Sequence, residues 1–536
     1  IMKKLLVPVA IILVVSFLLT LLTACSQTST TTSQVTTTAT ATTTTQSTAS
    51  ATTTAGAPKY GGTLRVIYPY SPETTPGWSA DATNMQKLWF SWIVWENLVK
   101  LDSRGEPLPW LATDWTWAPD KTYIDFNLRK GVKFHDGTDF TAESVVTHVN
   151  QLFTDKDGTT KNWDRVEKTG DYSVRFYFKQ WTRDFWLALG SWNMFITSDT
   201  QLKEKGLDYV KTHPVGTGPF KFESFEKDVS MKFVRFDNYW QTGKPYLDGI
   251  TFLTVKEPLT QQAKMEAGEG DVLQLKTGKI PYDLKQKGFA TCFNTNTVDL
   301  LLFDTANDGS LTNDPKVRLA IDYAINKQEM ADALGYGGMH PFYQISAVTN
   351  PAYNANLPTR SYDPEKAKAL LKEAGYDNNL TLHLIAENSG QDYVVMIQSY
   401  LAAVGVNVEL EMVDNAKLWN YIFAGWNGMV HIEYSTSNNY PYFLQRYFPP
   451  GSFMDISVKI PDDILAKTAA AMIETDDAKF KAMSDELVLW TFDNAFIIPT
   501  VGVDMFDIMR TEVKDAGLNE FFEFSTWSPE LTWLDQ

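Results

Sequence analysis

The chain has 536 residues, 44% hydrophobic and 13% aromatic, which is enough apolar material for two or three lobes and more than one compact domain usually holds. With 64 acidic against 47 basic residues the formal net charge is −17, so the surface repels phosphate backbones and anionic headgroups, and nucleic acid is disfavoured as a partner. The two cysteines are Cys25 and Cys292; if Cys25 is engaged elsewhere no disulfide framework exists, the fold rests on its core, and Cys292 is expected to be an inert buried thiol.

At the N-terminus Lys3 and Lys4 precede an apolar run from Leu5 to Leu22, broken by Pro8, Ser16 and Thr20, that ends in Leu22-Thr23-Ala24-Cys25. A basic stretch, an apolar stretch and a small-residue cleavage site are the parts of a secretory signal, here residues 1–24. The arrangement resembles the bacterial lipobox, which implies acylation of Cys25 and anchoring on the extracytoplasmic face of the membrane, at the cell surface or in the periplasm. The alternative is an uncleaved membrane anchor, because the run is near the minimum length for spanning a bilayer. Either way the rest of the chain lies outside the cytoplasm. Residues 26–57 are almost entirely Thr, Ser, Ala and Gln, with Val35 the lone large aliphatic residue. Such a segment buries too little apolar surface to offset its conformational entropy. Residues 25–58 therefore read as a lipidated cysteine and a disordered tether reaching about 30 Å.

The elements that follow alternate between strand and helix patterns, with no repeat of fixed period. Leu64 to Tyr68 is a strand, followed by a Pro-Gly loop that carries Trp78. Trp78, Trp89, Trp92, Trp95, Trp110, Trp115 and Trp117 crowd into this stretch. Most of them are expected in the core, yet together they suit a protein that buries an organic ligand in an aromatic-lined cleft. Tyr123 to Leu128 reads as a strand, Asp136-Gly137 as a turn, and Thr141 as the cap of a helix starting near Ala142. Val174, Phe176 and Phe178 alternate with polar residues in a further strand. Gly216-Thr217-Gly218 opens like a dinucleotide loop, but Lys221 stands where the third glycine belongs and strand-like residues follow, so it reads as a turn.

Farther along, Asp314-Pro315 and Asp363-Pro364 each set a capping carboxylate before a first-turn proline. Behind them Val317, Ala320, Ile321, Ala324 and Ile325, and then Ala367, Leu370, Leu371 and Ala374, fall on single helical faces, which makes them core. Leu380, Leu382 and Leu384 form a half-buried strand. Val394 to Val404 is a helix stopped by Gly405, and Val406, Val408, Leu410 and Met412 form a second strand. Two strands joined by a helix run parallel in one sheet, so residues 300–495 read as an α/β lobe. Tyr434, Tyr440, Tyr442 and Tyr447 form a second aromatic group.

Catalytic signatures are lacking. The sequence has no Gly-x-Ser-x-Gly elbow, no His-Glu-x-x-His pair and no phosphate-cradling Gly-x-x-x-x-Gly-Lys-Ser/Thr loop. Its six histidines, His135, His148, His213, His340, His383 and His431, have no ligand-like spacing and are expected to be structural. No cofactor, no metal and no catalytic residue is assigned. An extracellular hydrolase stays as the least favoured alternative, since chance pairs among the carboxylates escape a sequence reading.

Five blocks occur in order along the mature chain: Glu96-Asn97-Leu98 with Pro109-Trp110-Leu111-Ala112 and Trp115; Phe126 through Gly137; Pro214 through Phe220 with Asn238-Tyr239-Trp240; Lys316 through Ile321; and Tyr362 through Ala367. In these the chain resembles the bacterial extracellular solute-binding proteins of family 5, the receptors of oligopeptide, dipeptide and nickel ABC importers. The resemblance implies an α/β fold of the type II periplasmic-binding-protein kind, with two α/β lobes, a hinged cleft and an extra domain. By analogy the first lobe comprises 59–94, 196–296 and 498–536, the extra domain 95–195, and the second lobe 297–497. It also implies a monomer that binds a small molecule, closes on it and docks on an ABC permease and its ATPase. The alternative is a sensory or chaperone-like binding protein of the same fold. The blocks around His135 and Gly216 are read as architectural.

Peptide-binding relatives carry a Gly-Trp-x-x-Asp-Tyr segment whose Asp pairs with the ligand's α-ammonium group. Aligned at Gly425-Trp426, Met429 falls on the Asp position; aligned from Tyr442-Phe443-Leu444, Glu433 to Ser437 cover the motif, again without an Asp. Glu433 then stands in only through a shifted backbone. A modified or cyclic peptide, an oligosaccharide, another organic solute, or a metal chelate given nearby His431 are the alternatives to a plain peptide. The ligand is expected to meet Trp78 from the first lobe and Trp426, Glu433, Tyr434 and Thr436 from the second.

Overall fold

In the computed structural model, which describes residues 56–72, 74–75, 77–81, 88–376, 379–518 and 527–536, the alternating leucines form the strand Leu380–Glu387. The helix Gln391–Ala403 follows, and then the strand Val406–Val413. The two strands run parallel in the register Leu380 with Val406 through Glu387 with Val413. The two proline-led helices form as their sequence dictates. Asp314 and Asp363 accept hydrogen bonds from the backbone N–H groups of Lys316 and Lys366 at the starts of Pro315–Ala324 and Pro364–Glu373, satisfying donors that have no partner within the helix.

These elements flank one large sheet. Its strands lie in the order 406–413, 380–387, 429–435, 290–303, 497–509, 272–276, 63–68, 249–254, 230–235 and 220–226, and Met339–Pro341 pairs separately with 497–509. A second, antiparallel sheet of Ala112–Trp117, Tyr123–Leu128, Ser173–Phe178 and Trp163–Gly170 carries the helix Ala142–Thr154. That helix is capped by Thr141, whose side chain accepts from Glu143 N–H while Ser144 reaches back to the Thr141 N–H, a reciprocal capping box.

The described residues form one compact unit, and their core divides by sheet face. Leu301, Phe303, Ile321, Leu382, Leu384, Ile397 and Leu401 pack on one side of the large sheet. Val298, Leu300, Leu302, Ile432, Phe443 and Val488 pack on the other, which is the alternation a pleated strand imposes. Phe126, Phe134, Phe140 and Phe176 fill a separate core beneath the smaller sheet. Cys292 is half-buried and not enclosed, because it lies on the strand Ala290–Phe303 with its Sγ 3.9 Å from both an Asp507 carboxylate oxygen and the Leu518 carbonyl. Residues 1–24, Cys25 and the tether up to residue 55 lie outside the described residues. No helix among those described is long and apolar enough to cross a membrane.

Candidate functional site

Two strands, Ala290–Phe303 and Ile497–Met509, tie the halves of the large sheet together. They pair antiparallel from Ala290 with Met509 to Leu302 with Ile497. At one end the second of them also pairs with Val272–Lys276. At the other end the first pairs with Met429–Ser435. Register shifts fall between these ends, at Thr295/Thr297 and at Val298/Leu300. Irregularities of this kind bend a strand and re-aim its side chains.

Polar residues collect where the strands change partners. Thr295 Oγ1 donates to Asp504 Oδ1 at 2.7 Å, and His340 Nε2 lies 3.2 Å from the other oxygen of this buried carboxylate. Thr436 Oγ1 donates to the Thr295 carbonyl at 3.3 Å. Asp299 stands opposite Glu433 in the ladder. His431 Nε2 is 2.9 Å from Asp299 Oδ1, and the Tyr393 ring lies 5.2 Å from the imidazole. Lys276, at the end of its strand, forms an ion pair with Glu433. Burial disfavours the Lys276 cation, but the charge and hydrogen bond of Glu433, aided by Asp299 and Tyr70, outweigh it and raise the pKa. Glu433 Oε1 is buried and has no hydrogen-bond partner among the described residues. One oxygen of that carboxylate is thus engaged and the other is an open acceptor.

The residues expected to meet the ligand are placed apart from one another. Glu433 and Thr436 lie at the strand crossing. Tyr434, next to Glu433 on a pleated strand, points to the opposite face, where its ring packs 5.6 Å from Phe443 and 4.9 Å from Tyr447. Trp426 follows Gly425, the left-handed terminator of the helix Asn415–Ala424, and is 4% exposed in the core on that same face. Trp78 is 2% exposed and packs against His148 in the core beneath the smaller sheet. Lys276, Thr295, Asp299, His340, Tyr393 and Asp504 join the crossing without having been expected there. They come from distant parts of the chain, and no local pattern marks them.

The first three of the five motif blocks converge on a different place. Glu96, 4% exposed, accepts hydrogen bonds from Trp110 Nε1 at 2.8 Å, Tyr239 OH at 2.9 Å, Trp240 Nε1 at 2.9 Å and Thr217 Oγ1 at 2.7 Å. Burial pushes its carboxyl up to about 7, against the opposing pull of Thr217, Trp240, Tyr239 and the Lys100 charge. Around it the His135 N–H donates to the Gly216 carbonyl at 2.9 Å, and His135 Nε2 lies 2.9 Å from the Gly218 carbonyl. Five tracts, drawn from the first three motif blocks, are thereby pinned to one another, which is an architectural role. Among the described residues no group of three or more His, Cys, Asp or Glu side chains is arranged to hold a metal ion.

The sequence profile of the bacterial extracellular solute-binding proteins, family 5 (middle), matches residues 106–454. The chain is 27% identical over 428 residues to the glutathione-binding protein GsiB of Shigella flexneri, covering 74% of this chain and 81% of that one. It is similar in structure to the periplasmic binding protein DppA of Helicobacter pylori in complex with the peptide STSA, with a TM-score of 0.76, 21% identity, and 89% and 99% of the two chains covered. It is also similar to NikA of Brucella suis in complex with Fe(III)-EDTA, with a TM-score of 0.78, 22% identity, and 88% and 98% covered. The fold is that of the type II periplasmic binding proteins.

Proposed function

Because the chain belongs to family 5 of the bacterial extracellular solute-binding proteins, we propose that it captures a small, peptide-like or related organic solute outside the cytoplasm and delivers it to the permease and ATPase of an ABC importer. The observation that carries this reading is the strand crossing. Two continuous strands, irregular at Thr295/Thr297 and Val298/Leu300, join sheet halves that are otherwise bridged there by the Lys276–Glu433 ion pair. Such a joint bends without breaking the ladder on either side, and a solute that contacts both halves stabilises the closed arrangement by its differential affinity. The lobes are assigned to 59–94, 196–296 and 498–536, and to 297–497, with 95–195 as the extra domain. Cys25 is the proposed lipid anchor, and no catalytic role is assigned to any residue.

Glu433 and Thr436 are the proposed solute contacts, and Lys276 faces Glu433 from the first half. A solute carrying an ammonium group fits the open acceptor on Glu433. A solute that also carries a carboxylate gives the half-exposed Lys276 a replacement anion. Trp78, Trp426 and Tyr434 serve as packing behind this surface. A thermal-shift series with glutathione and a panel of di- to pentapeptides tests the reading. A bound solute at 100 times its dissociation constant adds about 2.7 kcal/mol of stability. A rise in melting temperature with the solute recovered unchanged supports the proposal. Chemical conversion of the solute contradicts it.

A further inference from the structure

A second bridge lies away from the strand crossing, between the smaller sheet and the helix pair Asp462–Met472 and Asp477–Asp493. Arg183, in the loop after Ser173–Phe178, makes it almost alone. Its backbone N–H donates to the Met472 carbonyl at 2.9 Å and its Nε donates to the Glu474 carbonyl at 2.5 Å. Its Nη1 donates to Asp477 Oδ1 at 2.7 Å, and the guanidinium lies 4.3 Å from the centre of the Phe480 ring. The guanidinium thus fills the corner where one helix ends and the next begins. There it meets the Glu474 carbonyl just beyond the first helix and the carboxylate in the first turn of the second, where a helix N-terminus favours negative charge.

The chemistry of this contact differs from that of the cores on either side. The apolar core beneath the smaller sheet contains no residue of 462–493, and the core holding Ile464, Leu487 and Val488 contains none of the smaller sheet. The two bodies therefore meet here through an arginine and not through a shared hydrophobic interior. Asp477 is 93% exposed, so its pairing with Arg183 is open to screening by salt. Arg183 Nη2 is buried without a hydrogen-bond partner among the described residues, so the guanidinium is incompletely satisfied in the joined state. The other charged groups facing the corner are Lys121, which feels both Arg183 and Asp477, Asp476, which feels Arg183 and Lys479, and Glu474, whose carboxylate accepts from the Asp476 N–H.

We infer that Arg183 is a latch, a positioning residue that holds the extra domain to the 472–480 corner when the solute cleft is shut and lets go when it opens. The latch rests on the solute-receptor reading, since a cleft that opens and closes is what gives it a purpose. The halves of the molecule are continuous through the crossing strands, touch nearby where Thr277 Oγ1 donates to the Gly335 carbonyl and Tyr282 meets Tyr336, and meet again at Arg183. Separating them at the crossing requires bending strands, whereas separating them at Arg183 requires breaking three hydrogen bonds and the guanidinium–Phe480 contact. Solute release then depends on a residue that does not touch the solute.

Hydrogen exchange on the full-length protein without any solute tests the latch separately from the transport reading, which stands or falls with the thermal-shift series. In the wild type, amides at 181–186 and 472–480 are expected to exchange faster than those of Tyr123–Leu128 and Ile497–Met509, because a latch opens without global unfolding. Raising NaCl from about 0.05 M to about 0.5 M is expected to speed those two segments several-fold. Arg183→Ala is expected to speed them about tenfold, with the strands unchanged. Asp477→Asn, at an exposed carboxylate that folding does not need, is expected to act in the same direction more weakly, and it decides the matter if Arg183→Ala fails to fold. Exchange at both segments that ignores salt and the substitutions, or that moves only in step with the strands, makes the contact a permanent brace and overturns the inference.

Discussion

At the scale of single residues, the crossing site and the motif hub make opposite uses of charge. Glu433 is partly open and paired to Lys276, so Glu433→Gln is expected to change the empty protein's stability by less than about 1 kcal/mol. It is expected to weaken binding of an ammonium-bearing solute about tenfold at low salt and less at high salt, as isothermal titration at two ionic strengths reads directly. Glu96 is buried with its carboxyl pushed up to about 7 from 4.5. The folded protein holds that proton more tightly than the unfolded chain does. Its contribution to stability is therefore full below the unfolded value and is lost as pH rises to about 7. His135 and His148, lowered by burial from 6.5 to about 4, act in the reverse sense and lose stability as pH falls through that window. Glu96→Gln removes the opposing contribution, so its melting temperature is expected to climb more steeply between about pH 5 and 7 than that of the wild type. A slope unchanged by the substitution contradicts the assignment. The tryptophans give a third expectation at this scale. Trp78 and Trp426 are almost fully enclosed, so Trp78→Ala or Trp426→Ala is expected to cost about 3–5 kcal/mol in the empty protein. A direct ligand contact would leave that stability nearly intact, and chemical denaturation separates the two.

At the scale of elements, local chemistry was legible where one residue decides one backbone bond. The Asp-Pro pairs at 314 and 363 cap helices, Thr141 caps Ala142–Thr154, and the leucine alternation at 380–384 lies in a parallel pair joined through a helix. The turn at Gly216 was legible as a turn, but its reason was not. A Cβ at Gly216 would lie 2.1 Å from the Val94 carbonyl oxygen, and one at Gly218 would lie 2.7 Å from that of Ile93. Glycine is needed there for close backbone approach and not for an unusual dihedral. Gly216→Ala is accordingly expected to destabilise by about 1–3 kcal/mol in denaturant unfolding, and a neutral result would contradict the close packing. The placement of Tyr434 shows the limit of composition as a guide. An aromatic residue one position from Glu433 looks like a partner in sequence, yet the period of two in a strand sends it to the opposite face.

At the scale of the whole molecule, motif tracts far apart in the chain meet in space, as Glu96 accepts from Trp110, Thr217, Tyr239 and Trp240 in one network. The candidate site was only partly legible. Glu433 and Thr436 lie at the crossing, but their companions Lys276, Asp299 and Asp504 arrive on strands whose paired residues lie more than a hundred positions apart in the chain. No local pattern encodes such a pairing. Nor does composition tell a tryptophan that fills a core from one that lines a cleft. The central claim is that this molecule holds a solute reversibly and leaves it chemically intact, and native mass spectrometry of the protein as it is purified from its host tests this most directly. The account predicts one small molecule bound per chain, displaced by gentle denaturation at the same mass at which it was taken up. A chain that releases only fragments of an offered solute, or a covalent adduct of it, contradicts the account.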